Sequence, residues 1–149
     1  MIGIAAPVLL YYASTRVRST IDATGIDALT LMHVWRIAAA LVFFYYGAAG
    51  ARPALFWVPS GVGDFRAGAY ARSLLFGDTS FERNRRVHLF GFADFVSAVG
   101  LGLTFTLLGE PRMARLTTLP LALIPLFGVG LSGASHIIAL TSLLRRPSV

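Results

Sequence analysis

Between residues 37 and 51 the chain reads IAAALVFFYYGAAGA, a stretch without one charged group. Extended back to Leu31, it has the length a helix needs to cross a hydrocarbon core of roughly 30 Å, which takes about 20 apolar residues. Tyr45 and Tyr46 lie near its far end, where amphipathic rings favour the membrane interface. In water, the rest of the chain would have to cover this surface. A chain of 149 residues that is 56% hydrophobic and 13% charged, with mean hydropathy +0.69, is too short and too apolar to do so. Lipid removes the difficulty, provided the backbone groups bond to one another inside helices. The expected fold is therefore an all-α polytopic transmembrane helix bundle forming one domain.

Working outward, the residues before this span give Met1–Thr15, an apolar run ended by Arg16 and Arg18 and carrying Pro7. At 1.5 Å per residue it reaches only about 22 Å, so it crosses marginally or lies in the interface. It has no basic n-region, which argues against a cleaved signal peptide. Ser19–Thr30 is polar and reads as a loop or a short surface helix.

After the span comes Ala54–Phe76, long enough to cross but holding Asp64, Arg66 and Arg72 as well as Pro59, Gly61, Gly63 and Gly68. Each ionised group near the bilayer centre costs roughly 2.5–3.5 kcal/mol on insertion scales. This segment is either a helix buried among its neighbours or a re-entrant, partly unwound one; the first is the expectation. Gly77–Arg86 reads as a polar loop, Val87–Gly109 as a span, and Glu110–Arg115 as a short loop. Leu116–Leu144 reads as a long last span with Pro120 and Pro125 near its start, stopped by Arg145 and Arg146. The result is five spans, or four if residues 54–76 do not cross.

All 13 basic residues are arginines, against seven acids, for a net charge of +6. Because they fall mostly between apolar runs, they read as topology signals rather than a nucleic-acid surface. With five spans, Arg16, Arg18, Arg83, Arg85, Arg86, Arg145 and Arg146 share one side and Arg52, Arg112 and Arg115 the other. The positive-inside rule then puts the N-terminus outside and the C-terminus in the cytoplasm. A four-span topology puts both termini inside, and its arginines also split unevenly. The absence of cysteine excludes disulfides, zinc–thiolate sites, iron–sulfur clusters and thiol catalysis.

A short pattern occurs twice. Gly61-Val62-Gly63-Asp64-Phe65-Arg66-Ala67-Gly68 and Gly91-Phe92-Ala93-Asp94-Phe95-Val96-Ser97-Ala98 both read glycine, two residues, Asp-Phe, two residues, then a small residue. On a helix these positions share a face, so small residues flank each acid and let a second helix approach. The pattern is either a packing device or two equivalent helices carrying two carboxylates to one interior site.

The run Pro59-Ser60-Gly61-Val62-Gly63-Asp64, followed by Gly68 and Ala71, resembles the Pro-Ala-Gly-x-Gly-Asp signature of a family of small, uncharacterised bacterial integral membrane proteins. The resemblance extends to Arg36 in the preceding span, Gly91 and Asp94 in the next, and Pro120, Pro125 and His136 in the last. It covers roughly residues 31–144. Ser60 replaces the expected Ala, and His88 stands where Asn is expected. The resemblance implies a membrane-embedded helical fold and brings no activity.

Ionisable groups inside a membrane are functional candidates because lipid makes them costly. By helical rise, His33 and Arg36 lie about 3 and 8 Å from the cytoplasmic face, His88 and Asp94 about 2 and 11 Å, and His136 about 12 Å, with Asp64 near mid-span. Two readings stay open. In one, Arg36 pairs with Asp64 or Asp94 and pins helix packing, since a buried charge needs a partner. In the other, Arg36, Asp64, Asp94 and His136 line a polar cavity that handles protons or a small ligand. A carrier of this length would be expected to form a homo-oligomer. Arg66, two residues from Asp64, points away from it on a helix, and Arg72 can snorkel to the cytoplasmic interface; both read as structural, and Ser132 and Ser135 read as helix-packing residues. His33 and His88, at similar depth, also raise bis-histidine haem ligation, although no spacing motif accompanies them. The glycines around Gly61 lack the spacing and lysine of a nucleotide loop, and no serine elbow is present.

Overall fold

The computed structural model describes residues 2–77 and 79–144, so Asp78, Arg145 and Arg146 lie outside the described residues. All regular structure among the described residues is helical. The α-helices are α1 (Ile2–Ala13), α2 (Thr15–Thr24), α3 (Ile26–Leu31), α4 (Arg36–Ala48), α5 (Ala54–Arg72), α6 (Phe81–Leu107) and α7 (Val129–Leu144). Residues Met32–Trp35 are a 3₁₀ turn joining α3 to α4, and Ile124–Gly128 a π-helical turn leading into α7. Three continuous helical stretches are long and apolar enough to cross a membrane: Ile26–Ala48, Phe81–Leu107 and Ile124–Leu144.

Several boundaries differ from the sequence reading. Ser19–Thr30, read as a loop or a short surface helix, is helical, in two pieces divided at Gly25, whose φ of +82° suits glycine. Residues 81–86, read as loop, form the first turns of α6. The Ser80 hydroxyl caps that helix by accepting from the Arg83 amide at 3.2 Å, and Glu82 pairs with Arg85 and Arg86 one turn on. The last span starts later than Leu116, because Pro111–Thr117 is a separate 3₁₀ turn and irregular backbone follows to Leu123. Pro120 has no amide to donate, so this stretch does not continue as α-helix.

Helices α4, α5 and α6 form one sheaf. On α5, Gly68 lies against Ile37 and the His33 carbonyl, and Gly61 against Phe43 and Phe44. Trp57 covers Gly47. These pairings run α5 antiparallel to α4 along its whole length, with small residues letting the backbones close up. On its other side α5 runs antiparallel to α6, from Phe56 near Gly102, through Gly63 at Asp94, to Leu74 packed on Val87. Helix α7 runs antiparallel to α6, with Gly133 against Phe95 and His136 against Gly91. Helix α1 runs parallel to α7: Gly3 meets Gly130, Ile4 meets Gly133, and Tyr11 lies beside Ser142 and Leu143. The turns after α4 and α6 are alike. Gly50 and Gly109 have positive φ, and the following amides reach back to the Tyr46 and Phe105 carbonyls.

Large apolar side chains lie on the surface of the bundle while several polar groups lie inside it: Leu41, Val96, Leu103 and Leu131 are each more than half exposed, whereas Arg36, Asp64, Asn84 and all three histidines are buried.

Candidate functional site

Arg36 opens α4 directly after the 3₁₀ turn and is 2% exposed. Its guanidinium makes three kinds of contact on two other helices. Nε donates to Asp64 Oδ1 on α5 at 2.7 Å, Nη1 to the Gly91 carbonyl on α6 at 3.1 Å, and Nη2 to Asp94 Oδ2 on α6. The planar fork of arginine suits this use, which one lysine ammonium could not reproduce. The duplicated glycine–Asp-Phe pattern thus serves both purposes raised by the sequence: it packs helices and carries two carboxylates to one cation. Gly63 is part of the device, because a Cβ there would collide with the Asp94 carboxylate. With all three groups ionised, two carboxylates against one guanidinium leave a formal charge of −1.

The histidines form a second cluster, directly behind the first. His33, His88 and His136 are at most 1% exposed, and one nitrogen from each ring lies within 4.8 Å of the others. The His33 and His136 rings stack at 3.9 Å, and His88 stands edge-on to both. Gly91 joins the clusters: its carbonyl accepts from Arg36, and its Cα faces the His136 ring so closely that a Cβ would lie 2.5 Å from Cε1.

Hydrogen-bond logic assigns the ring protons. Asn84 Nδ2 donates to Asp27 Oδ1 at 2.7 Å and to the Ser80 carbonyl at 3.2 Å, which turns Oδ1 toward Thr30. Thr30 Oγ1 has one hydrogen and faces two acceptors, Asn84 Oδ1 at 2.5 Å and the Ile26 carbonyl at 2.9 Å. Its third neighbour, His88 Nε2 at 3.0 Å, must then be the donor. His88 Nδ1 is left with a lone pair, which accepts from His136 Nδ1 at 3.0 Å. In the same way Ser135 Oγ donates to the Ser132 carbonyl at 3.0 Å and accepts from His33 Nε2 at 3.0 Å. His33 Nδ1 and His136 Nε2 remain as buried nitrogens without a partner among the described residues.

Beside the arginine opens a cavity of about 680 Å³. Its walls are apolar, with Phe43, Phe56, Phe95, Val99, Leu103 and Ile124, and it extends to the Gly109–Met113 turn. Arg36, Asp64, Ser60 and Ser132 also line it, and the hydroxyl oxygens of the two serines are buried without a partner among the described residues. Two irregular helical turns border it, for Trp35 of the 3₁₀ turn packs on Gly128 of the π turn. Such turns inside helices recur at functional sites.

The six sequence candidates therefore separate into two groups. Arg36, Asp64 and Asp94 converge as expected, but Arg36 holds both acids rather than one. Of these three, Arg36 and Asp64 line the cavity and Asp94 does not, because it meets Arg36 from the α6 side; His136 sits with His33 and His88, and no histidine lines the cavity either. The bis-histidine haem reading does not fit, since His33 and His88 meet edge-to-face with His136 packed against both, leaving no slot for a macrocycle. Arg66 and Arg72 are exposed, as expected, with Arg72 over the Phe76 ring. The sequence reading missed Asp27 and Thr30, in a stretch read as a loop or a short surface helix, and Asn84, in one read as a loop. It also missed Ser60 as a polar group, having treated it as a mild replacement for alanine.

The chain belongs to the family described as a domain of unknown function, DUF8737, which matches over residues 1–144. No curated protein and no solved structure matches the sequence.

Proposed function

We propose that this is a multi-pass protein of the bacterial cytoplasmic membrane that binds, and as a homo-oligomer carries, a small amphiphilic molecule. One observation carries the reading: a cavity with apolar walls is also lined by the ion pair Arg36–Asp64 and by Ser60 and Ser132, whose buried hydroxyls lack partners among the described residues. An apolar pocket with a few convergent polar groups is the usual form of a small-molecule site. The hydroxyls of Ser60 and Ser132 can donate to a head group with carbonyl or carboxylate oxygens, while the aromatic walls take its apolar body.

The membrane part of the proposal counts five crossings. It rests on the three apolar helices, the apolar side chains on the surface of the bundle, and the alternating directions of α1, α4, α5, α6 and α7. With α5 counted as a crossing, the parallel α1 and α7 both run from outside to cytoplasm, in agreement with the arginine distribution. The charges of α5 support this, since Asp64 faces Arg36 and the exposed arginines can snorkel. The resemblance of the Pro59–Asp64 run to small bacterial membrane proteins points the same way.

The test is saturable binding of a fluorescent fatty-acid analogue to the purified chain in detergent, followed by proton-linked uptake in proteoliposomes. Ala98 lines the cavity, and Ala98→Trp should fill it and abolish binding. Asp94→Asn should alter flux while binding persists. Equal binding by the wild type and the filled variant would discard the cavity as the site. A second reading, a structural subunit without a ligand, is favoured by the full use of Arg36 in joining three helices. It predicts that substitutions in the ion triad change stability alone.

A further inference from the structure

We infer that His33, His88 and His136 form a site for one divalent transition-metal ion, separate from the ligand cavity. The chain has three histidines in 149 residues, and they come from α6, α7 and the turn before α4 to meet in one place. Burying one imidazole is ordinary. Burying three together, with His33 Nδ1 and His136 Nε2 unpartnered, leaves lone pairs that nothing in the described residues uses. Buried polar atoms without partners are uncommon enough to require a reason.

The surroundings match what a metal-bound histidine needs. A ligating imidazole has its second nitrogen held by an outer hydrogen bond, which fixes the tautomer. Thr30 does this for His88 at Nε2 and Ser135 for His33 at Nε2, so in both rings Nδ1 is the free donor. The His88 hold is itself anchored through Asn84 to Asp27. The Nδ1 atoms of His88 and His136 are 3.0 Å apart. Two nitrogens on one tetrahedral ion at 2.0–2.1 Å each would be about 3.3 Å apart, so this pair is already near ligand spacing. The ion takes the place of the proton now shared between these nitrogens, and that proton leaves or moves to His136 Nε2.

One ring must turn. His33 and His136 are nearly parallel, at 10°, and two stacked rings cannot both aim in-plane lone pairs at one centre. Rotation of His136 about its Cβ–Cγ bond, a torsion with broad wells, brings its nitrogen into line. An all-imidazole donor set selects zinc, copper, nickel, cobalt or ferrous iron over magnesium and calcium. With both acids ionised, the neighbouring Arg36–Asp64–Asp94 group would offset part of the added positive charge. Three protein ligands leave one coordination position open.

The rings are closed to solvent, so loading is expected during assembly. The test is expression of the full chain with a histidine-free tag in medium supplemented with zinc, cobalt or copper, followed by metal analysis of the detergent-purified protein. At least one of these metals should be retained at about one ion per chain, as expected for a folding-coupled site. His88→Phe and His136→Phe, which keep a ring in place, should each lower retention at least about ten-fold. Circular dichroism and gel filtration check that the variants fold. If they do not, X-ray absorption on the wild type decides, with imidazole scattering expected around the metal. Metal-free wild type under all three supplements would overturn the inference. So would unchanged loading of a folded His88→Phe/His136→Phe variant, or a bound metal without imidazole ligands.

Discussion

The carboxylate of Asp94 rests against the bare Cα of Gly63, and it reaches Arg36 across a gap that any side chain at position 63 would close. Helices α5 and α6 are therefore as near as the acid allows, and the glycine is a requirement of the ion triad rather than a relic of the signature. Gly63→Ala should push Asp94 off Arg36 and destabilise the fold by about 1–3 kcal/mol, as overpacking does. Gly100 faces open space on the same helix as Asp94. Gly100→Ala should be neutral or stabilising by up to about 1 kcal/mol. Thermal unfolding of both variants in one detergent checks the contrast, and equal effects would contradict the geometry.

Arg36→Met should be the most damaging change in the triad, because it strands two acids at once. Removing one partner of a buried pair costs about 3–5 kcal/mol. Arg36→Met combined with Asp64→Asn and Asp94→Asn should recover much of the loss, since no unpaired charge remains. A cycle of these variants measured by unfolding is strongly non-additive if the three groups act as one unit.

Asn84 tests the polar chain behind the histidines. It is 2% exposed and bonded to Asp27, Ser80 and Thr30. Asn84→Leu removes the donor to Asp27 and one of the two acceptors of Thr30, leaving only the Ile26 carbonyl, and should cost about 1–3 kcal/mol. Asn84→Asp should be at least as harmful at neutral pH, for it sets a second carboxylate against Asp27. Unfolding at neutral and at acidic pH separates the two, with only the aspartate variant recovering in acid.

At the other end of the bundle, Glu110 accepts from the Arg112 guanidinium at 2.7 and 3.0 Å, and this holds its carboxyl below the usual range. A lowered folded-state value contributes stability above the unfolded-state value and loses it as pH falls through the folded one. The pair is solvent-exposed and screened by salt, so Glu110→Gln should shift the unfolding temperature slightly at neutral pH and not at all in strong acid.

Much of this architecture was legible in the residues, and the reasons are specific. Residues 37–51 declare a span by composition alone, and Gly61, Gly68 and Gly91 mark close helix contacts by spacing. The convergence of Arg36, Asp64 and Asp94 follows from the cost of unpaired charge. The start of α6 was missed because Phe81–Arg86 is polar, and the Ser80 cap that makes it helical is a single hydroxyl. The histidine cluster was missed as a unit because depth along a helix can be counted from a sequence, but rotation about its axis cannot. His136 was assigned to the carboxylates on depth, and its azimuth turns it toward His33 and His88.

The way Arg36 ties three helices together has a consequence for biogenesis. Helix α4 leaves the ribosome before α5 and α6, so its arginine reaches the insertion machinery before the Asp94 segment has been made. On the five-span reading, release of that helix into lipid alone leaves the cation without its partners, at a cost of a few kcal/mol. Retention at the translocon until the Asp94 segment arrives would avoid that cost and make the sheaf a unit of synthesis as well as of structure.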